Sequence, residues 1–289
     1  MIIDVNSQNE RDLYQYCISH SGTVPYYYDV NFESWRQSMF SDCDYDGTPL
    51  FSELKTMLLM EDGSVKGFIQ YGLTNFTIAE NGEKDRTKRE AVIRNLHYSE
   101  QASTARALLE AAEGYFASID AKRRYAFFHY FGMTCYARQG KLHESGYYME
   151  ELLRRFGYHK EHENVYYSIL LDRLEIAVPG DITFHYEDGD QSVVFLMEGK
   201  KIGGCALYFV PHTEICFLRW IYINKEYSHQ GLGTKCMLKL FQELRQKGIS
   251  RLDTDTADNN VAAQGYYIKT GFQDMGRMRS YHTSQAYDK

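Results

Sequence analysis

The sequence of 289 residues predicts a mixed α/β (α+β) fold whose elements occur twice along the chain. Patterns typical of β-hairpins recur in both halves, and an apolar helical segment follows each of them. Near residue 230, a strand, a glycine-bearing turn and a helix follow one another, an arrangement that can bind phosphate. With 44% hydrophobic and 25% charged residues, the composition is that of a globular chain.

Charge and composition disfavour several classes of function. The formal net charge of −7 argues against a nucleic-acid-binding protein, which usually carries clustered lysine and arginine. No apolar run is long enough to cross a membrane and residues 1–9 show no signal-peptide pattern, so we predict no membrane partner. The six cysteines show no metal-ligand spacing, which predicts a reduced, cytoplasmic protein without a bound metal.

An internal repeat relates the two halves of the sequence. Each half contains, in the same order, a hairpin, an apolar strand, an apolar helix, a second helix that ends at a glycine, and a tyrosine-bearing strand. Chance can supply one such match, but five in the same order indicate duplication. The matched parts are residues 59–69 with 196–205, 92–98 with 217–223, 107–116 with 236–244, Gly157 with Gly271, and 164–171 with 278–283.

The two predicted halves differ in length. The boundary lies near residues 172–180, where a proline–glycine pair interrupts the pattern, so we predict domains at residues 1–173 and 174–289. The first half carries about 60 residues before its hairpin, with helical patterns at residues 8–20 and 30–39, whereas the second carries only about 20. We therefore expect a second lobe that is truncated at its N-terminus.

The glycine-bearing turn, Gln230-Gly231-Leu232-Gly233-Thr234-Lys235, follows an apolar strand pattern at residues 215–223. Backbone N–H groups at a helix start lack partners and favour anions, and glycine lets the backbone approach a phosphate closely. By itself, a Gly-x-Gly sequence is often only a tight turn. The dinucleotide fingerprint and the P-loop pattern are both absent from the sequence, which disfavours a redox nucleotide cofactor and a nucleoside triphosphatase.

A second motif follows a short alternating strand pattern at residues 252–256. Asn260 is predicted to cap a helix that carries Ala263 and Tyr267. Gly271 is predicted to end that helix at the C′ position, where a left-handed conformation favours glycine.

The two motifs together closely resemble the GNAT superfamily of acetyl-CoA-dependent N-acyltransferases. An apolar strand, a Gly-x-Gly helix and a short strand come first. Asn260, Ala263, Tyr267, Gly271 and Phe272 then stand at the spacing of the family's second motif. Two motifs with the right intervening length form a specific pattern.

The resemblance is strong over residues 195–283, and it implies a tandem acyl-CoA N-acyltransferase fold with mixed, mostly antiparallel sheets flanked by helices. It implies that residues 174–289 form the acetyl-CoA-binding domain and residues 1–173 a degenerate GNAT-like domain. In the first half no Gly-x-Gly survives near residues 99–106. Counted back from Gly157, the positions of the motif's Asn, Ala and Tyr hold Gly146, Met149 and Leu153.

The resemblance also implies roles for individual residues. In the family a gap between the fourth and fifth strands accepts the pantetheine arm of the cofactor; here the fourth strand is residues 215–223. A backbone N–H of Ile221 or Ile223 is expected to polarise the thioester carbonyl, with Ile221 taken as catalytic, and Tyr267 to protonate the leaving thiolate. The expected cofactor-binding residues are Ile221, Ile223, Gln230, Gly231, Leu232, Gly233, Thr234, Asn260 and Tyr267.

One departure from the family concerns the general base. Some members carry a glutamate on the fourth strand, four residues before the oxyanion position, where this sequence has Phe217. Glu214, Asp253, Asp255 and a chain of water molecules are alternative sources of a base. The sequence alone does not identify which of them acts as the general base.

The predicted function is an acetyl-CoA-dependent N-acetyltransferase. It transfers an acetyl group to a primary amine of a small molecule or peptide by direct attack in a ternary complex. The alternative is a non-catalytic acyl-CoA-binding or scaffolding protein of the same fold. An acyl donor larger than acetyl stays possible, and neither the acceptor nor the oligomeric state can be read from the sequence.

Overall fold

A computed structural model describes residues 1–44, 46–79, 83–100, 102, 104–136, 140–174, 180–187, 189 and 191–283 of the chain. Within it the chain forms two compact units. The N-terminal unit comprises Met1–Glu163 and the C-terminal residues from Met278, and the C-terminal unit comprises Asn164–Arg277.

The described residues form six α-helices and fifteen strands. The helices are α1 Glu10–Ser19, α2 Phe32–Phe40, α3 Arg106–Ser118, α4 Tyr147–Arg155, α5 Leu232–Gln246 and α6 Val261–Lys269. The strands are β1 Ile2–Asp4, β2 Phe51–Glu61, β3 Ser64–Thr74, β4 Thr77–Ile78, β5 Lys84–Asp85, β6 Ala91–Tyr98, β7 Arg124–Ala126, β8 Leu142–His143, β9 Tyr158–Leu170, β10 Ile182–Glu187, β11 Ser192–Met197, β12 Lys200–Phe209, β13 Ile215–Ile223, β14 Arg251–Ala257 and β15 Gln273–Thr283.

The division into units does not coincide with the predicted boundary after residue 173. Strands β9 and β15 each begin in one unit and end in the other, so the chain passes between units within strands. A pattern of turns marks where loops lie, and it carries no signal for a division inside a strand. Residues 175–179, where the boundary was predicted, lie outside the described part of the chain.

The predicted mixed α/β fold with mostly antiparallel strands is confirmed in each unit. In the N-terminal unit the strand order is β1-β2-β3-β6-β7, and the end of β15 pairs with β7. In the C-terminal unit the order is β9-β14-β13-β12-β11-β10. Among the described pairings, β6 with β7 and β13 with β14 are parallel and the others are antiparallel.

The core of the C-terminal unit lies between its sheet and helix α5. Six apolar residues recur along α5 at helical spacing, so they form one stripe, and these six are buried in the core of the unit. These residues are Leu232, Cys236, Met237, Leu240, Phe241 and Leu244.

Two hairpins at equivalent places in the units have the same turn. Strands β2 and β3 are joined by Asp62 and Gly63, with φ of 49° and 72°, and β11 and β12 by Glu198 and Gly199, with φ of 51° and 78°. Two central residues with positive φ give a turn whose twist matches that of the paired strands. The predicted hairpins are thus confirmed, and their turns agree in conformation.

A β-bulge also recurs at equivalent positions. In the β3–β6 pairing the register shifts, and Arg94 is the extra residue. In the β12–β13 pairing the register shifts in the same way, and Arg219 is the extra residue. In both units the parallel pairing ends at the residue just before the bulge. The pairing of β6 with β7 ends at Ile93, and the pairing of β13 with β14 ends at Leu218. The alignment of residues 92–98 with 217–223 therefore holds in three dimensions.

The units differ in the helices that precede their hairpins. The patterns at residues 8–20 and 30–39 form α1 and α2 of the N-terminal unit, as predicted. The described residues of the C-terminal unit form no α-helix before β10. This agrees with the expected truncation of the second lobe.

Candidate active site

A fork in the sheet of the C-terminal unit defines the candidate site. Strands β13 and β14 pair in parallel only through Ile215–Leu218 and Arg251–Thr254. Beyond these residues β13 continues to Ile223 beside β12, and β14 continues to Ala257 beside β9. The bulge at Arg219 bends β13 at this point, because an extra residue on one strand increases its local twist.

The backbone of β13 presents polar groups to this fork. The N–H of Asn224 donates to the carbonyl of Ile202 at 2.8 Å, so Asn224 is paired with β12. In an antiparallel ladder, successive residues direct their N–H and C=O groups alternately to the partner strand and away from it. The N–H and C=O groups of Ile221 and Ile223 therefore point away from β12, on the side where β14 has separated.

Helix α6 positions Tyr267 through the motif that ends the helix. Gly271 adopts φ of 99°, the N–H of Phe272 donates to the carbonyl of Tyr267 at 3.0 Å, and the N–H of Gly271 donates to the carbonyl of Ile268 at 3.1 Å. This is a Schellman motif, which commonly includes an apolar contact across the helix end. The rings of Phe272 and Tyr267 make that contact, with centroids 5.4 Å apart. Gly271 thus ends α6 as predicted, and the motif fixes the side chain of Tyr267.

The hydroxyl of Tyr267 lies at the base of the fork. Its oxygen is 3.5 Å from Oγ1 of Thr254, whose hydroxyl donates to the carbonyl of Leu218 at 2.9 Å. Thr254 and Leu218 are the last paired residues of β14 and β13. Burial raises the pKa of Tyr267, so its hydroxyl keeps the proton at neutral pH.

The glycine-bearing turn lies at the start of α5, and Gly231 is the N-cap of that helix with φ of 75°. The N–H groups of Leu232, Gly233 and Thr234 belong to the first helical turn, where α-helical geometry supplies no partner. These groups and the helix dipole favour an anion. The hydroxyl of Tyr266 donates to the carbonyl of Gly233 at 2.7 Å, which ties α6 to this end of α5.

The remaining residues that are predicted to bind the cofactor lie at the ends of these elements. Gln230 is exposed, and its side-chain amide donates to the carbonyl of Glu226 at 3.1 Å. Asn260 is the N-cap of α6, and its side chain accepts from the N–H of Ala263 at 3.2 Å. The predicted cap is confirmed, whereas a contact of Asn260 with pantetheine stays a prediction.

The candidates for a general base differ in burial and pairing. Asp253 is fully buried, accepts from the hydroxyl of Tyr166 at 2.7 Å and forms an ion pair with Arg251 at 2.8 Å. Its charge is therefore compensated within the protein. Glu214 is exposed, and Asp255 is only partly buried. Phe217 is buried with 1% of its surface exposed, and an apolar ring at this position supplies no base.

The start of α3 in the N-terminal unit differs from the start of α5. At the start of α3, a carboxylate oxygen of Glu61 accepts from the N–H of Thr104 at 3.3 Å and from its hydroxyl at 2.7 Å. A carboxylate therefore already lies at this helix start, where it repels a second anion. Helix α4 of the N-terminal unit corresponds to α6. Leu153 of α4 occupies the position that Tyr267 has in α6, and it is fully buried.

The equivalent of the backbone edge at Ile223 is also blocked in the N-terminal unit. Its counterpart in β6 is Tyr98, whose carbonyl accepts from the hydroxyl of Tyr148 at 3.1 Å. The hydroxyl of Tyr98 in turn donates to the carbonyl of Tyr148 at 3.0 Å. These reciprocal hydrogen bonds engage the edge that an incoming strand-like ligand would need.

Sequence reasoning missed two features of the fork. Thr254 lies in a strand that was predicted from its alternation, but nothing marked this threonine as the residue next to Tyr267. The bulge at Arg219 was also missed, because bulges depend on the pairing of two strands. The repeat offered one signal, since an arginine occurs at the same place in both halves.

Part of this chain is similar in sequence to known acetyltransferases. Residues 147–272 match the family model described as acetyltransferase (GNAT) family. The bovine thialysine N-epsilon-acetyltransferase is 29% identical over 89 residues, which are 29% of this chain and 52% of that enzyme. The ribosomal protein bS18 alanine N-acetyltransferase of Escherichia coli K12 is 28% identical over 101 residues, 35% of this chain and 68% of that enzyme. The chain thus spans about half the length of the bovine relative.

Solved structures share the fold over nearly the whole chain. A tandem GNAT protein from the clavulanic acid biosynthesis pathway has a TM-score of 0.67 at 12% identity, covering 100% of this chain and 99% of the other. A GCN5-related N-acetyltransferase from Sphaerobacter thermophilus has a TM-score of 0.65 at 9% identity, covering 98% and 95%. The fold is that of the tandem acyl-CoA N-acyltransferases. Residues 147–272 thus resemble the GNAT acetyltransferase family, and the solved structures show the shared fold.

No helix in the described part of the chain is long and apolar enough to cross a membrane. Among the same residues, no group of three or more histidine, cysteine, aspartate or glutamate side chains is arranged to hold a metal ion.

Proposed function

We propose that this protein transfers an acetyl group from acetyl-CoA to a primary amine, and that the C-terminal unit does so. The observation that carries this proposal is the position of the Tyr267 hydroxyl at the base of the fork, 3.5 Å from Thr254. Bound acetyl-CoA would supply the acetyl group as a thioester. The residues around the fork fit such a ligand, because an anion site, an open backbone edge and a buried proton donor follow one another.

The proposed roles follow the chemistry of each group. The N–H groups of Leu232, Gly233 and Thr234, with those of Gln230 and Gly231, bind the diphosphate. The backbone of Ile221 and Ile223 pairs with the amides of the pantetheine arm as an added strand would. Asn260 hydrogen-bonds the same arm.

Two residues act on the reacting atoms in this proposal. The N–H of Ile221 stabilises negative charge on the thioester oxygen as the amine attacks directly in a ternary complex. Tyr267 holds a proton on its hydroxyl and donates it to the leaving thiolate. The raised pKa of Tyr267 supports this role, because a proton donor must be protonated at the working pH.

The proposed acceptor is a primary amine of a small molecule or peptide. One relative is named for the epsilon nitrogen of thialysine and another for the alanine of a ribosomal protein. The net charge of −7 adds a weak attraction for cationic acceptors.

The alternative is a non-catalytic acyl-CoA-binding protein, and Phe217 favours it. This buried ring stands where some family members carry a glutamate base. An amine that arrives partly deprotonated needs little help from a base, so Phe217 does not by itself exclude transfer.

Titration with acetyl-CoA, followed by thiol-release assays over a panel of amines and amino acids, tests the proposal. We expect saturable binding of acetyl-CoA and release of free thiol with at least one amine. Binding without release on any acceptor would support the scaffolding alternative. Failure to bind acetyl-CoA would exclude both the acetyl transfer and the acyl-CoA-binding alternative.

We further propose that residues 174–289 form the acetyltransferase domain and residues 1–173 a degenerate GNAT-like domain. A cytoplasmic location is proposed because the six cysteines are free, and free thiols persist in reducing compartments. Limited proteolysis and localisation of the full chain by fractionation test these two points.

A further inference from the structure

A cavity of about 290 Å³ belongs wholly to the N-terminal unit. Its walls come from the segment after α1, the end of β6 and the start of α4. A second cavity of about 490 Å³ adjoins it, and the two share His20 and Ser99 in their walls. Volumes of this order are those of small-molecule sites.

Two imidazole rings line the smaller cavity. They belong to His20 and to His97 of β6, and their centroids are 4.9 Å apart. Leu96 and Tyr98 pack in the core with α3, and successive side chains of a strand alternate between its faces. His97 therefore projects from the opposite face, where it meets Tyr16 of α1. Only 5% of the surface of His97 is exposed.

His97 presents a hydrogen-bond donor to the cavity. Burial, followed by the nearby His20, lowers the pKa of His97 to about 3, so at neutral pH its ring is uncharged and carries one N–H. Its Nδ1 lies 2.8 Å from the hydroxyl oxygen of Tyr16. The other group within reach of that hydroxyl is the carbonyl of Lys66, which is farther, at 3.2 Å, and already accepts from the N–H of Ser99. The Tyr16 hydroxyl is therefore assigned as the donor to Nδ1, which leaves the proton of His97 on Nε2. Among the described residues, this Nε2 has no hydrogen-bond partner.

His20 presents an acceptor. Its Nδ1 lies 2.7 Å from the carbonyl oxygen of Tyr16, and a carbonyl oxygen only accepts, so Nδ1 carries the proton. The hydroxyl of Ser19 donates to the same carbonyl at 2.8 Å, which agrees with this assignment. In the neutral ring Nε2 is then an acceptor, and no described residue donates to it. A donor and an acceptor thus lie side by side in the wall of the cavity.

The rest of the lining disfavours an anion. Apart from the two histidines, Glu100 is the only ionisable acid or base among the described lining residues, and it accepts from the hydroxyl of Tyr147. Its carboxylate repels a second negative charge. Val24, Tyr148 and Met149 add apolar surface to the same wall, against which the body of an organic molecule can pack.

The two imidazoles also select by hydrogen bonding. A carboxylate cannot donate to Nε2 of His20, and an ammonium group cannot accept from Nε2 of His97. A buried polar atom that stays unpaired costs free energy, so each of these ligands would leave one ring unsatisfied. A neutral group that both donates and accepts satisfies both rings.

From these observations we propose that the N-terminal unit binds a neutral small molecule in this cavity, through a carboxamide or hydroxyl group that accepts from Nε2 of His97 and donates to Nε2 of His20. The degenerate unit is then a ligand-binding unit in its own right. The inference does not depend on acetyl transfer by the C-terminal unit.

Isothermal titration calorimetry of the full chain with four probes of similar size tests the proposal. Benzamide and benzyl alcohol both donate and accept, whereas acetophenone and benzoate only accept. We expect saturable binding of benzamide or benzyl alcohol, and the tighter of the two distinguishes a carboxamide from a hydroxyl ligand. Acetophenone and benzoate should bind at least about tenfold more weakly, because each leaves Nε2 of His20 without a donor.

Replacing His20 should remove the preference for a donor. In His20→Phe we expect the affinity for the preferred probe to fall about five- to fiftyfold, to the level of acetophenone, whose own affinity should change less than about twofold. The control is His159→Phe, at an exposed histidine of β9 that does not line the cavity, and it should leave all four affinities unchanged. Because His97→Phe would also remove the partner of Tyr16, nitrogen NMR of the imidazole rings tests His97 in the natural protein. It should show the proton of His97 on Nε2 and that of His20 on Nδ1.

The contrary outcomes are equally definite. No binding of any probe at millimolar concentration would overturn the proposal, and so would equal affinities for benzamide and acetophenone. A proton on Nδ1 of His97 would overturn the assignment of its Nε2 as the donor. Absence of acetyl transfer would leave the proposal standing, because none of these measurements uses acetyl-CoA.

Discussion

The phenolic oxygen of Tyr267 lies 3.5 Å from the hydroxyl oxygen of Thr254, the last residue through which β14 pairs with β13. A hydroxyl group on a helix thereby lies at the point where two parallel strands separate. The Schellman motif at Gly271 and Phe272 holds the tyrosine in that place.

Removing the hydroxyl of Tyr267 should abolish most of the turnover. For Tyr267→Phe we expect kcat to fall by about ten- to a thousandfold, as for the loss of one general acid. Because the ring keeps its contacts with Phe272, calorimetry should show unchanged affinity for acetyl-CoA. Unchanged kcat would reject the role of Tyr267 as proton donor.

Thr254 should act as a positioning residue for Tyr267. For Thr254→Val we expect kcat to fall about three- to tenfold, because the hydroxyl that adjoins Tyr267 is lost. The free energy of unfolding should fall by about 1–3 kcal/mol, since the buried carbonyl of Leu218 loses its side-chain donor. Thr254→Ser keeps the hydroxyl and should restore kcat. A serine variant as slow as the valine variant would contradict this role.

Gly231 should be needed for its backbone conformation alone. An added Cβ would meet nothing within 4 Å, but φ is 75°, so Gly231→Ala places alanine in a left-handed conformation that costs about 1–2 kcal/mol. We expect the start of α5 to shift and the affinity for acetyl-CoA to fall about three- to tenfold.

The matched control is Gly114→Ala on an exposed face of α3. This glycine also has open space around it, but its φ is not positive. We expect unchanged affinity and a stability gain of up to about 1 kcal/mol. Equal loss of affinity in both variants, measured by calorimetry, would show that the conformation of Gly231 is irrelevant.

Each chain should bind one equivalent of acetyl-CoA. In the N-terminal unit, Glu61 lies at the start of α3 and Tyr148 engages the carbonyl of Tyr98. Isothermal titration calorimetry of the full chain should therefore give a stoichiometry near one. Two equivalents of comparable affinity would contradict the reading of residues 1–173 as degenerate.

His97 should make the protein less stable in mild acid. Its Nδ1 lies 2.8 Å from the hydroxyl oxygen of Tyr16, and burial, followed by the nearby His20, lowers its pKa to about 3. In the unfolded chain, the imidazole of His97 binds a proton with the ordinary histidine pKa of about 6.5. The contribution of neutral His97 to stability is therefore complete above about pH 6.5 and is lost as pH falls toward 3, by at most ~1.4 kcal/mol per pH unit.

Urea unfolding of the full chain between those pH values measures this effect. His97→Asn keeps a polar atom near Tyr16 and does not titrate, so its unfolding free energy should depend on pH less steeply, by about one proton. Identical slopes for the two proteins would show that His97 does not contribute.

The sequence predicted those parts of the site that depend on neighbours along the chain. The cap at Asn260, the end of α6 at Gly271 and the strand at residues 215–223 were each read from local patterns, and the structure confirms them. Such patterns work because helix caps and strand alternation involve residues only a few positions apart. The resemblance to the GNAT superfamily rests on the same local motifs.

Contacts between distant segments could not be predicted in this way. The bulge at Arg219 requires the register of β12 on β13, and the approach of Thr254 to Tyr267 requires that α6 pack against β14. The blocking of the N-terminal unit by Tyr148 likewise depends on a residue 50 positions from its partner, Tyr98. Each of these contacts is set by packing, which no local pattern records.

The sequence by itself determined the resemblance to the GNAT superfamily, the duplicated order of elements and the residues at the two motifs, because local spacing fixes turns and helix ends. Only the tertiary structure decided that the strands part at Leu218 and Thr254, and that Trp220 and Tyr222 are exposed while Ile221 is directed to the core. The physical reason is that strand register and side-chain burial are properties of paired surfaces, and those surfaces exist only once the chain has folded.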